Sequence, residues 1–172
     1  MQTLKQAVAS SILLIFLASL IYGLLKINTC LYKGKNNMER TFAMIKPDAV
    51  AASNTGKIID IIEKNGFTIC AMQKKHLTEK QARAFYAVHK ERPFFDGLVE
   101  FITSGPVVAL CLEQDNAIQK WRDLMGATNP LNAEEGTMRK LFGEDVGRNA
   151  VHGSDAKETA QQELAQFFPD FM

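Results

Sequence analysis

Beyond residue 40 the apolar positions fall into short blocks whose spacing switches between the period of a strand and that of a helix. Thr41 to Ile45 is an apolar run closed by Lys46-Pro47-Asp48. Proline biases the residue before it toward extended backbone, so a strand is expected to end at Lys46. Lys57 to Lys64 carries Ile58, Ile59, Ile61 and Ile62 and is followed by Asn65-Gly66, a buried helix with a C-terminal stop. Phe67 to Met72 alternates as a second strand. Thr78-Glu79-Lys80-Gln81 has the form of a capping box, opening a helix with Ala82, Phe85, Tyr86 and His89 inward and Pro93 at its end. Phe95, Leu98, Val99 and Ile102 repeat at helical spacing up to Ser104-Gly105-Pro106, and Val107 to Leu112 reads as a fully apolar central strand. Ala117, Ile118, Trp121, Leu124 and Met125 then give a helix a hydrophobic face, with Arg122 on another side.

From Gly126 to Asn149 the periodicity fades, and so long a loop in a compact domain is usually functional. A further strand and a helix follow, the helix over Asp155 to Phe168 with Ala156, Ala160, Leu164 and Phe167 inward and Pro169 as its stop. Strand, helix, strand, two helices, strand, helix, loop, strand, helix is a split βαβ order. It predicts an α+β domain: a four-stranded antiparallel sheet with helices packed on it and a helical hairpin inserted midway.

Residues 1–37 do not fit that rhythm. Ala7 to Leu25 is a run of 19 uncharged, mostly apolar residues, long enough to cross a ~30 Å hydrocarbon layer as a helix. The expected division is therefore a hydrophobic leader over residues 1–37 and a globular domain over residues 38–172. If the leader inserts, Lys26, Lys33 and Lys35 outweigh Lys5, which keeps the domain on the cytoplasmic side. The run is long for a secretory signal, and no small-x-small cleavage site follows it. Another reading is that translation starts at Met38, directly before the first strand, and that the leader is no part of the working protein.

Composition narrows the function. The 172 residues are 47% hydrophobic and 23% charged, ordinary values for one globular domain with an appendage. The net charge of +1 conceals a split: the first 38 residues hold four lysines and no acid, which leaves 16 basic and 19 acidic residues in the rest. A mildly acidic domain lacks the basic face that nucleic-acid binding wants, so no nucleic-acid partner is expected and any anion site must be local. Cys30, Cys70 and Cys111 are odd in number and without metal-ligand spacing, as for reduced cytosolic thiols.

The most chemical stretch is Asn149-Ala150-Val151-His152-Gly153-Ser154-Asp155. A neutral imidazole can attack phosphorus without a separate base, and Gly153, lacking a Cβ, would leave one side of the ring open. The stretch also reads as a turn histidine before a helix. Elsewhere, Lys46 at a strand end suits a phosphate as a point charge, Arg122 stands off its helix's apolar face, and Thr128, Arg139 and Asn149 are types that hold phosphates and sugar hydroxyls. Phe94 has no place on the apolar face beside it, and an exposed aromatic can stack on a nucleobase.

Several of these stretches occur together in one family. Through Glu39-Arg40-Thr41-Phe42, Ile45-Lys46-Pro47-Asp48, Arg92-Pro93-Phe94-Phe95, Ser104-Gly105-Pro106, Gly126-Ala127-Thr128-Asn129-Pro130, Gly136-Thr137 with Arg139, and Asn149 to Asp155, the sequence closely resembles nucleoside diphosphate kinases of the bacterial type. The resemblance spans Met38 to about Pro169. It implies a ferredoxin-like fold and ping-pong transfer of the γ-phosphate of a nucleoside triphosphate, mainly ATP, to a nucleoside diphosphate through phosphohistidine at His152. By the same resemblance Lys46, Arg122, Thr128 and Arg139 contact phosphates, and Tyr86 lies near the γ-phosphate. Phe94 stacks on the base, with Val146 on its other face. Asn149 and Lys46 address the ribose, and Ser154 and Glu163 orient the histidine. Mg²⁺ is implied as the cofactor, carried by the nucleotide phosphates without a protein ligand. A homo-oligomer, tetramer or hexamer, is also implied. The alternative on the same fold is a non-catalytic, membrane-tethered nucleotide-binding protein.

Overall fold

The computed structural model of the protein describes residues 38–169. The expected membrane-length helix at residues 7–25 and Cys30 lie outside the described residues. Among the described residues no helix is long and apolar enough to cross a membrane.

Four strands form one antiparallel sheet: β1 (Met38–Ile45), β2 (Thr68–His76), β3 (Pro106–Asp115) and β4 (Val151–Gly153), in the order β2-β3-β1-β4. This is the split βαβ arrangement that the sequence order implies, with β3 inserted between β2 and β1. β1 and β3 are paired along their full overlap, from Met38↔Asp115 to Ile45↔Val108. Their apolar runs are continuous because both faces are covered. Ala43, Ile45, Val108, Leu110 and Leu112 face one layer, while Phe42, Met44, Val107, Ala109 and Cys111 face the other.

Among the described residues seven helices cover the sheet: α1 (Pro47–Ala51), α2 (Thr55–Lys64), α3 (Glu79–Phe85), α4 (Phe95–Thr103), α5 (Ala117–Met125), α6 (Met138–Phe142) and α7 (Lys157–Phe167). On the first face α2 contributes Ile58 and Ile62, and α5 contributes Ala117, Trp121 and Met125. The second face takes Ala82 from α3, Val99 and Ile102 from α4, and Leu164 and Phe167 from α7. The capping box at Thr78 is present in both directions, with Gln81 N–H donating to Thr78 Oγ1 at 3.3 Å and Thr78 N–H to Gln81 Oε1 at 3.0 Å. Cys70 and Cys111 carry free thiols.

The elements depart from the periodicity where local chemistry is subtler. Pro47 does more than end β1: at the first position of α1 its fixed φ starts a helix five residues long. β2 continues to His76, past Met72, as a partly exposed edge strand with an irregular register between Ile69 and Ala71. The stretch from Gly126 to Asn149 is not uniform loop, since it holds a 3₁₀ turn at Pro130–Asn132 and α6, both too short to show a period. α3 stops at Phe85 and a separate 3₁₀ turn, Ala87–His89, follows, so His89 is not on an inner helix face. α7 begins at Lys157, and Ala156 is its exposed N-cap residue instead of a core position. Alanine cannot cap through its side chain; Thr159 Oγ1 accepts from Ala156 N–H at 2.9 Å instead.

β4 is held against α5 at very short range. A Cβ added at Gly153 would lie 2.3 Å from the Trp121 indole and 2.8 Å from Met125 Cε. Trp121 is fully buried and its indole N–H donates to His152 O at 3.3 Å, so it has little room to yield. Gly153→Ala is expected to destabilise the fold by about 1–3 kcal/mol through overpacking, read as a lowered urea midpoint at an unchanged slope.

Candidate active site

β4 is three residues long, yet its register decides where the chemistry sits. Pairing of Ile45↔Val151, Met44↔His152 and Ala43↔Gly153 puts Val151 into the first core layer and turns His152 to the opposite side. There the imidazole packs against the rings of Phe85 at 5.1 Å, Phe42 at 6.0 Å and Tyr86 at 6.1 Å between centroids. α7 then runs back past it, and His152 Nε2 meets Glu163 Oε1 at 3.0 Å. Ser154 Oγ donates to the other carboxylate oxygen, Oε2, at 2.5 Å. A carboxylate only accepts, so Nε2 carries a proton, and in the neutral imidazole Nδ1 is then the nitrogen with the lone pair. Nδ1 has no hydrogen-bond partner among the described residues.

His152 opens on a cleft of about 860 Å³. Lys46, Tyr86, Thr128, Arg139 and Asn149 line it around the histidine, and Phe94 and Val146 line it as well. The last two are both 56% exposed, large apolar side chains left unpacked by the fold. Lys46 and Asn149 are buried and bonded together, with Nζ donating to Asn149 Oδ1 at 2.5 Å. The same amide donates through Nδ2 to Thr128 O at 3.0 Å and Val146 O at 2.9 Å, which ties two loops to the strand entrance. Arg139 reaches from α6 to Gly126 O at 2.8 Å and Val151 O at 3.4 Å, and its Nε is buried without a partner. The Tyr86 hydroxyl is buried and unpartnered too. Burial, aided by Glu163, pushes the phenol's pKa up, so it remains a proton donor.

Arg122 is placed differently. It stands on the exposed side of α5 and pairs with Asp155, Nη1 to Oδ1 at 2.7 Å, beside an adjoining recess of about 280 Å³ that Thr128 and Arg139 share. Asp155 is therefore an ion-pair partner and not the cap of α7. Gly153 also has another reason than ring access: its missing Cβ makes room for Trp121 on the opposite side of β4 from the imidazole.

The cations are close enough to disfavour one another. Burial, and after it the Arg139 guanidinium, bring Lys46 down to about 8, while Asp48 and Asp145 act against the shift. Arg139 is lowered by burial and by Arg122, and Asp155 opposes this. The site thus holds positive charge at a cost that an anion would relieve. Sequence patterning missed His89, whose ring lies 5.6 Å from Phe94 and stacks near Tyr86 at 6.4 Å. It also missed Asp145, which accepts from Gly147 N–H at 2.7 Å and Arg148 N–H at 2.8 Å and so shapes the loop that presents Val146. The Asp-x-Gly turn pattern was the available signal for the second. Nothing in the sequence marked the first.

Such a site can receive a ligand with an aromatic end and an anionic end, and it sets an imidazole ring beside the anionic one. Comparison with known proteins gives that class a family. The model of the nucleoside diphosphate kinase family matches residues 39–172. The nucleoside diphosphate kinase of Oleidesulfovibrio alaskensis is 58% identical over 130 residues, covering 76% of this chain and 94% of that protein. That of Geotalea uraniireducens is 59% identical over 131 residues, with 76% and 96% covered. Among solved structures, the Aquifex aeolicus nucleoside diphosphate kinase superposes with a TM-score of 0.75 at 44% identity, covering 76% of this chain and 95% of that one. The Halobacterium salinarum enzyme, solved in complex with CDP, gives 0.73 at 43% identity, with 76% and 87% covered. The chain belongs to the nucleoside diphosphate kinase family.

The Lys46 ammonium provides a direct test of the electrostatics. In an NMR titration of the nucleotide-free protein, its side-chain carbon resonances should move with a midpoint near 8, well below the ordinary lysine value of 10.5. A midpoint at the ordinary value would remove the burial argument.

Proposed function

We propose that this protein is a nucleoside diphosphate kinase that moves the γ-phosphate of a nucleoside triphosphate, mainly ATP, to a nucleoside diphosphate through a phosphohistidine at His152. The observation that carries this reading is the setting of His152, whose Nε2 is held by Glu163 while the ring lines a cleft that also holds buried cationic groups and exposed apolar side chains. In the first half-reaction the Nδ1 lone pair attacks the γ-phosphorus. The N–P bond forms, the bond from phosphorus to the β,γ-bridging oxygen breaks, and the diphosphate leaves with that electron pair. The proton stays on Nε2, and Glu163 stabilises the positive charge the ring gains. In the second half-reaction a terminal oxygen of another diphosphate attacks the phosphorus and the Nδ1 lone pair returns.

Within this reading Lys46, Arg139, Thr128 and Arg122 neutralise the phosphate oxygens, Arg122 by exchanging Asp155 for the ligand. Tyr86 supplies its unpartnered hydroxyl near the transferred group. Asn149 acts with Lys46 at the sugar, and its own bonds hold it in place. Phe94 and Val146 enclose the base without addressing its edges, which suits broad acceptance of nucleotides. Ser154 and Glu163 orient the ring. The donors at the phosphate end are guanidinium, hydroxyl and ammonium groups, which fit phosphate oxygens and not a bare divalent cation. Mg²⁺ would be held by the nucleotide phosphates and would supply further charge neutralisation there.

We propose further that residues 38–172 work as the kinase domain on the cytoplasmic side, tethered to the membrane if residues 7–25 insert, and as a homo-oligomer, tetramer or hexamer. A non-catalytic nucleotide-binding role is the alternative, and turnover separates the two.

Incubation with γ-labelled ATP should yield acid-labile label on the protein that is discharged by any added nucleoside diphosphate. His152→Ala should abolish both labelling and turnover, and retained turnover would end the assignment. Phe94→Ala should weaken purine and pyrimidine diphosphates alike, by about 1–3 kcal/mol of binding free energy in calorimetry. A loss confined to one base class would argue against stacking.

A further inference from the structure

The chain reaches His152 through a turn that alanine does not favour. Ala150 is fully buried at φ 66°, and Val151 N–H donates to Asn149 O across it at 2.7 Å, closing a three-residue turn in left-handed backbone space. Both polar groups of Ala150 are held by the segment that ends β1 and starts α1. Lys46 N–H donates to Ala150 O at 2.8 Å, and Asp48 Oδ2 accepts from Ala150 N–H at 2.9 Å across 102 residues of sequence. The other oxygen, Asp48 Oδ1, is buried and unpartnered, so the one hydrogen bond of this half-buried carboxylate goes to a strained residue, beside its electrostatic pull on Lys46. The Asn149 side chain is anchored separately, by Lys46, Thr128 and Val146. Removing Asp48 therefore frees the turn on the side of the histidine and leaves the nucleotide side tied.

We propose that Asp48 is a positioning residue for phosphoryl transfer: its carboxylate clamps the strained turn at Ala150, which starts β4 in the register that sets His152 between Glu163 and the cleft. The inference rests on the reading of His152 as the phosphorylated residue. Without the clamp the turn relaxes toward ordinary backbone, Val151 and His152 shift along β1, and Nδ1 leaves its line of attack.

The test is single-turnover labelling of the full chain by γ-labelled ATP, with thermal melting recorded for each variant. Asp48→Ala should slow labelling about 10- to 100-fold, as expected for a reacting atom misplaced by about an ångström. Its apparent affinity for ATP should change by less than about threefold, a loss in rate and not in binding. Asp48→Asn, whose amide oxygen still accepts from Ala150 N–H, should stay within about threefold of the wild-type rate. Glycine adopts positive φ without a Cβ penalty, so Asp48→Ala should cost much less rate when combined with Ala150→Gly than when introduced alone. If Asp48→Ala alone does not fold but the double variant folds and is labelled, the same coupling is shown.

Wild-type labelling in Asp48→Ala, an equal loss in both backgrounds, a loss in affinity instead of rate, or failure of both proteins to fold would each overturn the proposal. Absence of label on the wild-type protein would overturn the function reading and this inference together. Label on the wild type with no difference among the variants would overturn this inference alone.

Discussion

The short antiparallel pairing of β4 with the end of β1 is the contact on which the cleft depends. Only Ala43, Met44 and Ile45 take part from β1, and the ladder is extended by the bond from Lys46 N–H to Ala150 O. Because side chains alternate along a strand, this register alone decides that Val151 enters the core beneath α5 and that His152 emerges on the other side. A slip of one residue would bury the imidazole against Trp121 and turn a valine toward the cleft. The packing of Gly153 on the Trp121 indole works against such a slip, since no neighbouring residue could take its place there.

From that strand the site is assembled out of pieces that have no separate reason to meet. Lys46 comes from the end of β1, Thr128 and Val146 from loops, Arg139 from a helix of five residues, and Glu163 from α7. Asn149 joins the first three through one amide. Its orientation follows from the network, because the ammonium must face Oδ1 and the two carbonyls must face Nδ2. The result is a rigid floor under a cleft whose Phe94 and Val146 remain uncovered.

The electrostatics follow the same division. A domain with slightly more acidic than basic residues nevertheless gathers Lys46 and Arg139 at one end of the cleft, with Arg122 in the recess that adjoins it. Burial and mutual repulsion lower Lys46 and Arg139, while carboxylates at Asp48, Asp145 and Asp155 offset part of that. Such an arrangement trades stability for a site that a phosphorylated ligand completes. Whole-chain charge conveys none of this, since it averages over the faces of the domain.

The elements longer than about seven residues were legible in periodicity, because a hydrophobic face repeated over two turns or several alternations leaves a clear signal. α1, α6 and the 3₁₀ turns were not, being too short to repeat, and β2 was cut short because its outer half is an edge where polar residues are tolerated. The site residues came into view through separated stretches shared with one family and not through any pattern of their own. His89 stayed hidden because a 3₁₀ turn, and not the helix before it, decides where it points.

By itself, then, the sequence determined the order of the longer strands and helices and the apolar positions that form the core. These depend on local propensity and on which residues can leave water. Only the tertiary structure decided which imidazole nitrogen is held and which is free, that Arg122 rests on Asp155, that Gly153 serves Trp121, and that Asp48 holds Ala150. Each of these is set by a hydrogen bond or close contact between segments 11 to 102 residues apart. Their geometry exists only once the sheet has closed.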